Sequence, residues 1–236
     1  MRKKNETFKF KKFEVNHQIN AQKVSTDSVL LGAWSNLEES RNILDIGTGC
    51  GVLALMAAQR TLQAQITAIE IELSFAEEAR INFTNSLFSN RINLLNEDVR
   101  QFSTQKFDHI ICNPPYFANS LKSEINSRNQ ARHDLNLSLE NLAETVSRLM
   151  SFNGKISVVI PFQRIETLIK FFNHFELYLT RRCDVKHTNN SLQSLCLLEF
   201  QNVKTEIVEN AELIIKNGEE YTNEYKNLLH DFLLIF

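Results

Sequence analysis

At 236 residues, with 43% apolar and 23% charged side chains, the chain can bury one sizeable α/β core, and its mixed composition excludes a disordered or fibrous protein. A formal net charge of −2 excludes nucleic-acid binding by bulk charge, yet in the first twelve residues Arg2, Lys3, Lys4, Lys9, Lys11 and Lys12 stand against Glu6 alone. Cys50, Cys112, Cys183 and Cys196 show no Cys-x-x-Cys spacing and no apolar run reaches transmembrane or signal-peptide form, so reduced thiols, no metal, no membrane and a cytoplasmic location are expected.

Along the chain, Phe8 to Val15 alternates aromatic and basic residues, which predicts an exposed strand or hairpin with rings inward and ammonium groups outward. A solvated basic tail and an electrostatic arm for a phosphate backbone both fit it. Ser25, Thr26 or Asp27 can cap a helix that carries Val29, Leu30, Ala33 and Trp34 toward a core. Asn42 to Ile46 reads as a short apolar strand ending in Asp45, followed by Gly47-Thr48-Gly49-Cys50-Gly51 and a helix over Val52 to Arg60. Three of the six glycines fall in that loop, where they permit a sharp turn and a close approach of ligand to backbone. The pattern Asp-x-Gly-x-Gly-x-Gly places its third glycine one position earlier than the dinucleotide fingerprint does. Gln65 to Ile69 gives a second strand, and Glu70 follows it where this class of fold puts an acid for a ribose diol.

Leu73 to Leu87 predicts a helix, and Ile92 to Leu95 a third strand that leads to Asp98 and Val99. Phe107 to Cys112 is the fourth, and Asn113-Pro114-Pro115-Tyr116 must leave the sheet in a stiff turn, because two prolines neither extend a strand nor start a helix within it. Asp45, Glu70, Asp98 and Asn113 therefore collect at one sheet edge. The polar stretch 118–136, with Lys122, Arg128, Arg132 and His133, reads as a long loop, either a lid or binding segment or plain surface. Beyond it come a helix over Leu137 to Met150, a turn at Asn153-Gly154, a strand over Lys155 to Ile160 and a helix over Ile165 to Phe172. A hairpin of Leu177 to Val185 with Leu192 to Phe200 is expected on the far edge, and a packing helix within Tyr221 to Phe236. Lys186 to Asn190 and most of Lys204 to Gly218 read only as surface.

In that order, Asp-Ile-Gly-Thr-Gly-Cys-Gly, Glu70, Asp98 and Asn-Pro-Pro-Tyr resemble the Rossmann-like S-adenosylmethionine-dependent methyltransferases of the Asn-Pro-Pro-Tyr, amino-methylating branch. Phe8 to Phe13, Lys23 to Asp27, Leu30 to Trp34, Leu53 to Ala57, Arg128 to His133 and Tyr221 to Phe232 extend the likeness over nearly the whole chain. These segments are similar to the bacterial family that methylates the N6 amino group of the adenosine just 3′ of the anticodon in a valine tRNA. Ser25 and Ser28 depart from it, standing where glycines are expected.

The resemblance implies a doubly wound, mostly parallel seven-stranded sheet, with a C-terminal antiparallel hairpin and a short N-terminal β extension. It also implies one catalytic domain, with 1–20 as a basic extension to a core of 21–236, acting as a monomer on the anticodon stem-loop. Glu70 would take the cofactor's ribose, Asp98 with the Val99 amide its adenine, the Gly47, Gly49 and Gly51 loop its methionine part, and Asp45 with Lys23 and Thr26 its amino acid end. Lys9, Lys11, Lys12, Lys122, Arg128, Arg132 and His133 would bind RNA phosphates.

The chemistry itself can be argued independently. An adenine amino nitrogen is a poor nucleophile because its lone pair is delocalised into the ring. If the Asn113 side-chain oxygen and the Pro114 carbonyl each accept one N–H, the lone pair is freed toward the methyl donor without a strong base. Stacking of the flipped base on Tyr116, with Phe117, is worth about 1–3 kcal/mol, and alignment on the order of 7–11 kcal/mol.

Two other classes compete. Protein glutamine-N5 methyltransferases of release factors share Asn-Pro-Pro-Tyr, but they look to have a helical domain before the glycine loop, and only 44 residues precede Asp45 here. A cofactor-dead RNA-binding module is opposed by the intact Asp45, Gly47, Gly49, Glu70 and Asn113.

Overall fold

The computed structural model describes residues 7–17, 24–115 and 137–236. Its frame is a run of parallel strands, β3 (Asn42–Ile46), β4 (Gln65–Ile69), β5 (Ile92–Leu95), β6 (Phe107–Cys112) and β7 (Met150–Pro161), numbered after a separate N-terminal pair. They lie in the order β7-β6-β3-β4-β5, so the chain winds outward from β3 to β5 and then crosses back to place β6 on the other side of β3. That reversal opens a crevice at the carboxyl ends of β3 and β6, where doubly wound sheets bind ligands.

Strand periodicity sorts the apolar side chains into two cores. Ile43, Ile66, Ala68, Ile111 and Val159 face a layer formed by α1 (Thr26–Trp34), α2 (Val52–Arg60) and α3 (Leu73–Thr84). Leu44, Ile46, Ile69, Ile110, Cys112, Val158 and Ile160 point the other way, toward α4 (Leu139–Leu149) and α5 (Ile165–His174). Both faces are covered, which is why these strands read as continuous apolar runs. Cys50, Cys112, Cys183 and Cys196 are all free and buried.

The sheet is wider than the expected seven strands. β8 (Tyr178–Thr188) and β9 (Gln193–Gln201) do form the antiparallel hairpin, with β9 against β7, but β10 (Glu209–Asn217) pairs in parallel with β8, and β11 (Glu220–Tyr221) folds back on β10, which makes nine strands among the described residues. Much of Lys204 to Gly218 is thus an edge strand rather than featureless surface. Asn153-Gly154 does not precede the strand but lies inside β7, with Asn153 at φ 58° and a break in the β6–β7 register. The third helix stops at Thr84, short of Leu87, and the tail helix shrinks to α6 (Asn223–Leu229), capped by Thr222, which accepts from the Tyr225 amide at 3.2 Å.

At the N-terminus β1 (Thr7–Lys9) and β2 (Glu14–Asn16) form a hairpin with Phe8 opposite Val15. Phe10 and Phe13 stack at 4.4 Å and are buried, and Phe10 bridges to Leu233 while the Lys11 amide donates to the Phe232 carbonyl at 2.8 Å. The hairpin therefore closes one side of the core with the C-terminal tail.

Candidate active site

The glycine loop owes its shape to the end of β3. Gly47, Gly49 and Gly51 all adopt positive φ, at 69°, 55° and 89°. A Cβ on Gly47 or Gly49 would meet nothing within 4 Å, so the loop presents bare backbone to open space there, whereas at Gly51 it would strike the Phe83 ring at 2.4 Å. The third glycine thus serves the packing of α2 against α3, and the first two form the open face. Four of the loop amides are already used: Gly47 and Thr48 donate to the Ile69 carbonyl at 2.9 and 3.1 Å, Gly49 to Glu70 Oε2 at 2.9 Å, and Gly51 to the Thr48 carbonyl at 2.8 Å. A loop that binds a pyrophosphate needs such amides pointing at the anion. This one suits an uncharged or cationic stretch of ligand.

Asp45 lies beneath the loop with no exposed surface. Its Oδ2 accepts from Thr48 Oγ1 at 2.6 Å and the Ala54 amide at 3.1 Å, whereas Oδ1 has no hydrogen-bond partner among the described residues. Burial pushes the carboxyl up to about 7, against the two hydrogen bonds and with a small push from Glu70. An orphaned buried carboxylate oxygen beside bare glycine backbone fits the ammonium of an amino acid. Thr26 is exposed in the first turn of α1, and Lys23, its expected companion, lies outside the described residues.

Glu70, at the end of β4, accepts from the Gly49 and Glu72 amides at 2.9 and 3.0 Å, and burial raises its carboxyl. A carboxylate has about four lone-pair sites, so two amides leave room for a diol. Asn96 braces this corner by donating to the Glu70 carbonyl at 2.8 Å. Asp98 is held by the Arg100 guanidinium, with Nε 2.9 Å from both oxygens and Nη2 at 2.6 Å, and this pairing keeps its carboxyl below the usual range. Arg148 fixes the same loop by donating to the carbonyls of Phe102, Val99 and Arg100. Asp98 and Val99 thus stand on a rigid loop after β5, one strand beyond Glu70.

Asn113 and Pro114 leave β6 directly beside the Asp45 strand, across the crevice. The Asn113 amide donates through Nδ2 to Ser28 Oγ at 2.9 Å, a contact from α1 that local sequence did not signal. Another residue of this kind is Asn82: it accepts from the Asn16 amide at 2.9 Å and donates to the Cys50 carbonyl at 2.8 Å, tying β2 to the glycine loop. Tyr116, Phe117, Lys122, Arg128, Arg132 and His133 lie outside the described residues.

The lysines of the hairpin make local contacts. Lys9 pairs with Glu14 at 2.9 Å and the Lys11 ammonium donates to the His230 carbonyl, leaving Lys12 exposed at the turn. Phe13 meets Phe88 just past the end of α3, and the adjoining tail accepts from Gln59 at the end of α2 through the Asp231 carbonyl.

The family description "methyltransferase small domain" matches residues 21–160. A protein of Pseudoalteromonas translucida named tRNA1(Val) (adenine(37)-N6)-methyltransferase is 39% identical over 228 residues, covering 96% of this chain and 98% of the relative. One of the same name from Bacteroides fragilis is 40% identical over 231 residues, covering 96% and 97%. Among solved structures, one described as a "predicted O-methyltransferase" from Agrobacterium tumefaciens superposes with a TM-score of 0.71 at 21% identity, over 87% of this chain and 96% of the other. A methyltransferase from Pyrococcus furiosus gives 0.62 at 18% identity, over 81% and 90%. The solved structures bear on the fold alone, and it is the one the sheet order shows. The chain belongs to the methyltransferase small domain family and, within it, to the tRNA1(Val) (adenine(37)-N6)-methyltransferase family.

Proposed function

We propose that this chain methylates the N6 amino group of an adenosine in tRNA, the one just 3′ of the anticodon of a valine tRNA, with S-adenosylmethionine as donor. The observation that carries the reading is the Asn113-Pro114 corner, set across the crevice from the open glycine face and the orphaned Asp45 oxygen. When bound, the cofactor supplies an electrophilic methyl group. Asp45 would hold its ammonium, Glu70 its ribose hydroxyls, and Asp98 with the Val99 amide its adenine edge.

The protein's part toward the base is orientation. The Asn113 side-chain oxygen and the Pro114 carbonyl each take one hydrogen of the exocyclic amine, which withdraws the nitrogen lone pair from the ring and aims it. Proline at 114 and at 115 removes two backbone donors, so the chain leaves the β6 ladder here and the Pro114 carbonyl lies outside it. Such alignment supplies on the order of 7–11 kcal/mol of barrier lowering in favourable cases. No described side chain is needed as a base before attack, since the amine loses its proton readily once alkylated.

Total tRNA incubated with labelled cofactor should yield N6-methyladenosine on nucleoside digestion. Label recovered in another nucleoside, or only in a release factor offered in parallel, would refute the reading. In Asn113→Ala, cofactor affinity by calorimetry should stay within about threefold while methyl transfer falls by a factor of about a hundred or more, a size set by lost orientation and hydrogen bonding together.

A further inference from the structure

We infer that Ser28 is a positioning residue for the transfer step, one that fixes which end of the Asn113 amide faces the acceptor nitrogen; this rests on the function proposed above. The last torsion of asparagine has a broad, roughly two-fold preference, so the side chain alone does not choose between presenting its oxygen and presenting its NH2. Only the oxygen can accept from an amine.

The choice is made from α1. Asn113 Nδ2 lies 2.9 Å from Ser28 Oγ, and Ser28 Oγ in turn lies 3.2 Å from Ser25 Oγ. Ser25 is the N-cap of α1, and its Oγ also accepts the Ser28 amide at 3.2 Å. When the Ser28 hydroxyl gives its single proton to Ser25, it has only lone pairs left for Asn113. It must then meet the NH2 end, and Oδ1 is turned away from α1. Ser28 is 8% exposed and Val29, Leu30 and Leu31 beside it are buried, so the hydroxyl is held by a packed helix rather than by a loop. A helix cap is in this way coupled to a strand end 85 positions later in sequence.

The test compares Ser28→Ala and Ser28→Thr with the unaltered protein, using single-turnover methyl transfer to tRNA at saturating cofactor. Ser28→Ala removes the acceptor and should slow transfer about tenfold, the size of one hydrogen bond near the upper end of the usual range. Cofactor and tRNA dissociation constants should change less than about twofold, because neither ligand is assigned a contact with Ser28. Ser28→Thr restores a hydroxyl and should recover most of the rate. An unchanged rate in Ser28→Ala overturns the inference, as does a loss matched by equal losses of cofactor affinity and melting temperature, which would mark a merely structural role. A folded Ser28→Thr protein as slow as Ser28→Ala also overturns it; should that protein not fold, the split between rate and affinity in Ser28→Ala decides. If the unaltered protein forms no N6-methyladenosine, the proposed function fails first, and that result is distinct from an active enzyme indifferent to Ser28.

Discussion

A carboxylate sealed from water with one oxygen unmatched is costly unless a cation arrives to meet it. Asp45 is in that position, and burial puts its carboxyl at about 7 in the cofactor-free protein. Below that pH the group carries a proton, which an incoming ammonium must displace. Affinity for S-adenosylmethionine should therefore rise with pH, by at most about tenfold per unit, until about pH 7, and then level off. Calorimetry from about pH 5.5 to 8 would measure it, and a flat profile would remove Asp45 from the ammonium site. Asp45→Asn should bind weakly at every pH. Asp45, Gly47, Gly49, Glu70 and Asn113 were legible in the sequence because each punctuates the end of an apolar strand. Ser28, Asn82 and Asn96 were not, since short polar side chains that act across the fold leave no local pattern. The two serines standing where glycines were expected take on meaning only in the structure, one as the helix cap and the other as the partner of Asn113.

The same distinction holds for whole elements. The parallel strands β3, β4, β6 and β7 announce themselves because both faces are buried, whereas β10 has only Leu213 fully buried along a largely exposed edge and so reads as polar surface. The N-terminal hairpin was legible as alternation with its rings inward; that these rings clasp the C-terminal tail was not. Phe10→Ala should therefore cost about 3–5 kcal/mol of stability, the range for emptying a buried aromatic site, read as a lower urea midpoint. Lys11→Gln gives up the contact with the His230 carbonyl and should cost about 1 kcal/mol. Because Lys9 is paired with Glu14 and Lys11 with the His230 carbonyl, replacing Lys9, Lys11 and Lys12 together by glutamine should make the slope of log K for tRNA against log salt shallower by no more than about 1. A slope shallower by about 2 to 3, the loss expected for three phosphate contacts, would instead place RNA along the hairpin.

At the scale of the molecule, buried groups among the described residues pull the response of stability to pH in opposite directions, His109 one way and Asp45 with Glu70 the other. His109 lies inside the sheet with Nε2 2.8 Å from Ser157 Oγ, and burial, with Lys155, Arg60 and Arg181 adding repulsion, drives it down to about 3. The unfolded chain binds that proton more readily, so the contribution of His109 is complete above its ordinary value of 6.5 and is lost as pH falls toward 3. Asp45 does the reverse: its contribution is complete below the ordinary 3.8 and is lost as pH rises toward about 7, with Glu70, also raised by burial, in the same direction. Asp98, held low by Arg100, loses its contribution only further into acid. Between about pH 4 and 6.5 the slopes from His109 and Asp45 therefore offset each other in the cofactor-free protein. Asp45→Asn removes one of them, so its urea midpoint should rise relative to that of the unaltered protein as pH increases across this window and exceed it above pH 7, where the buried charge is most costly. His109→Gln keeps a hydrogen-bonding end for Ser157 and no titration, and its midpoint should fall over the same window. Saturating S-adenosylmethionine supplies the missing cation and should make the unaltered protein track the Asp45→Asn slope; profiles that superpose for all three proteins would mean that neither group titrates as its surroundings dictate.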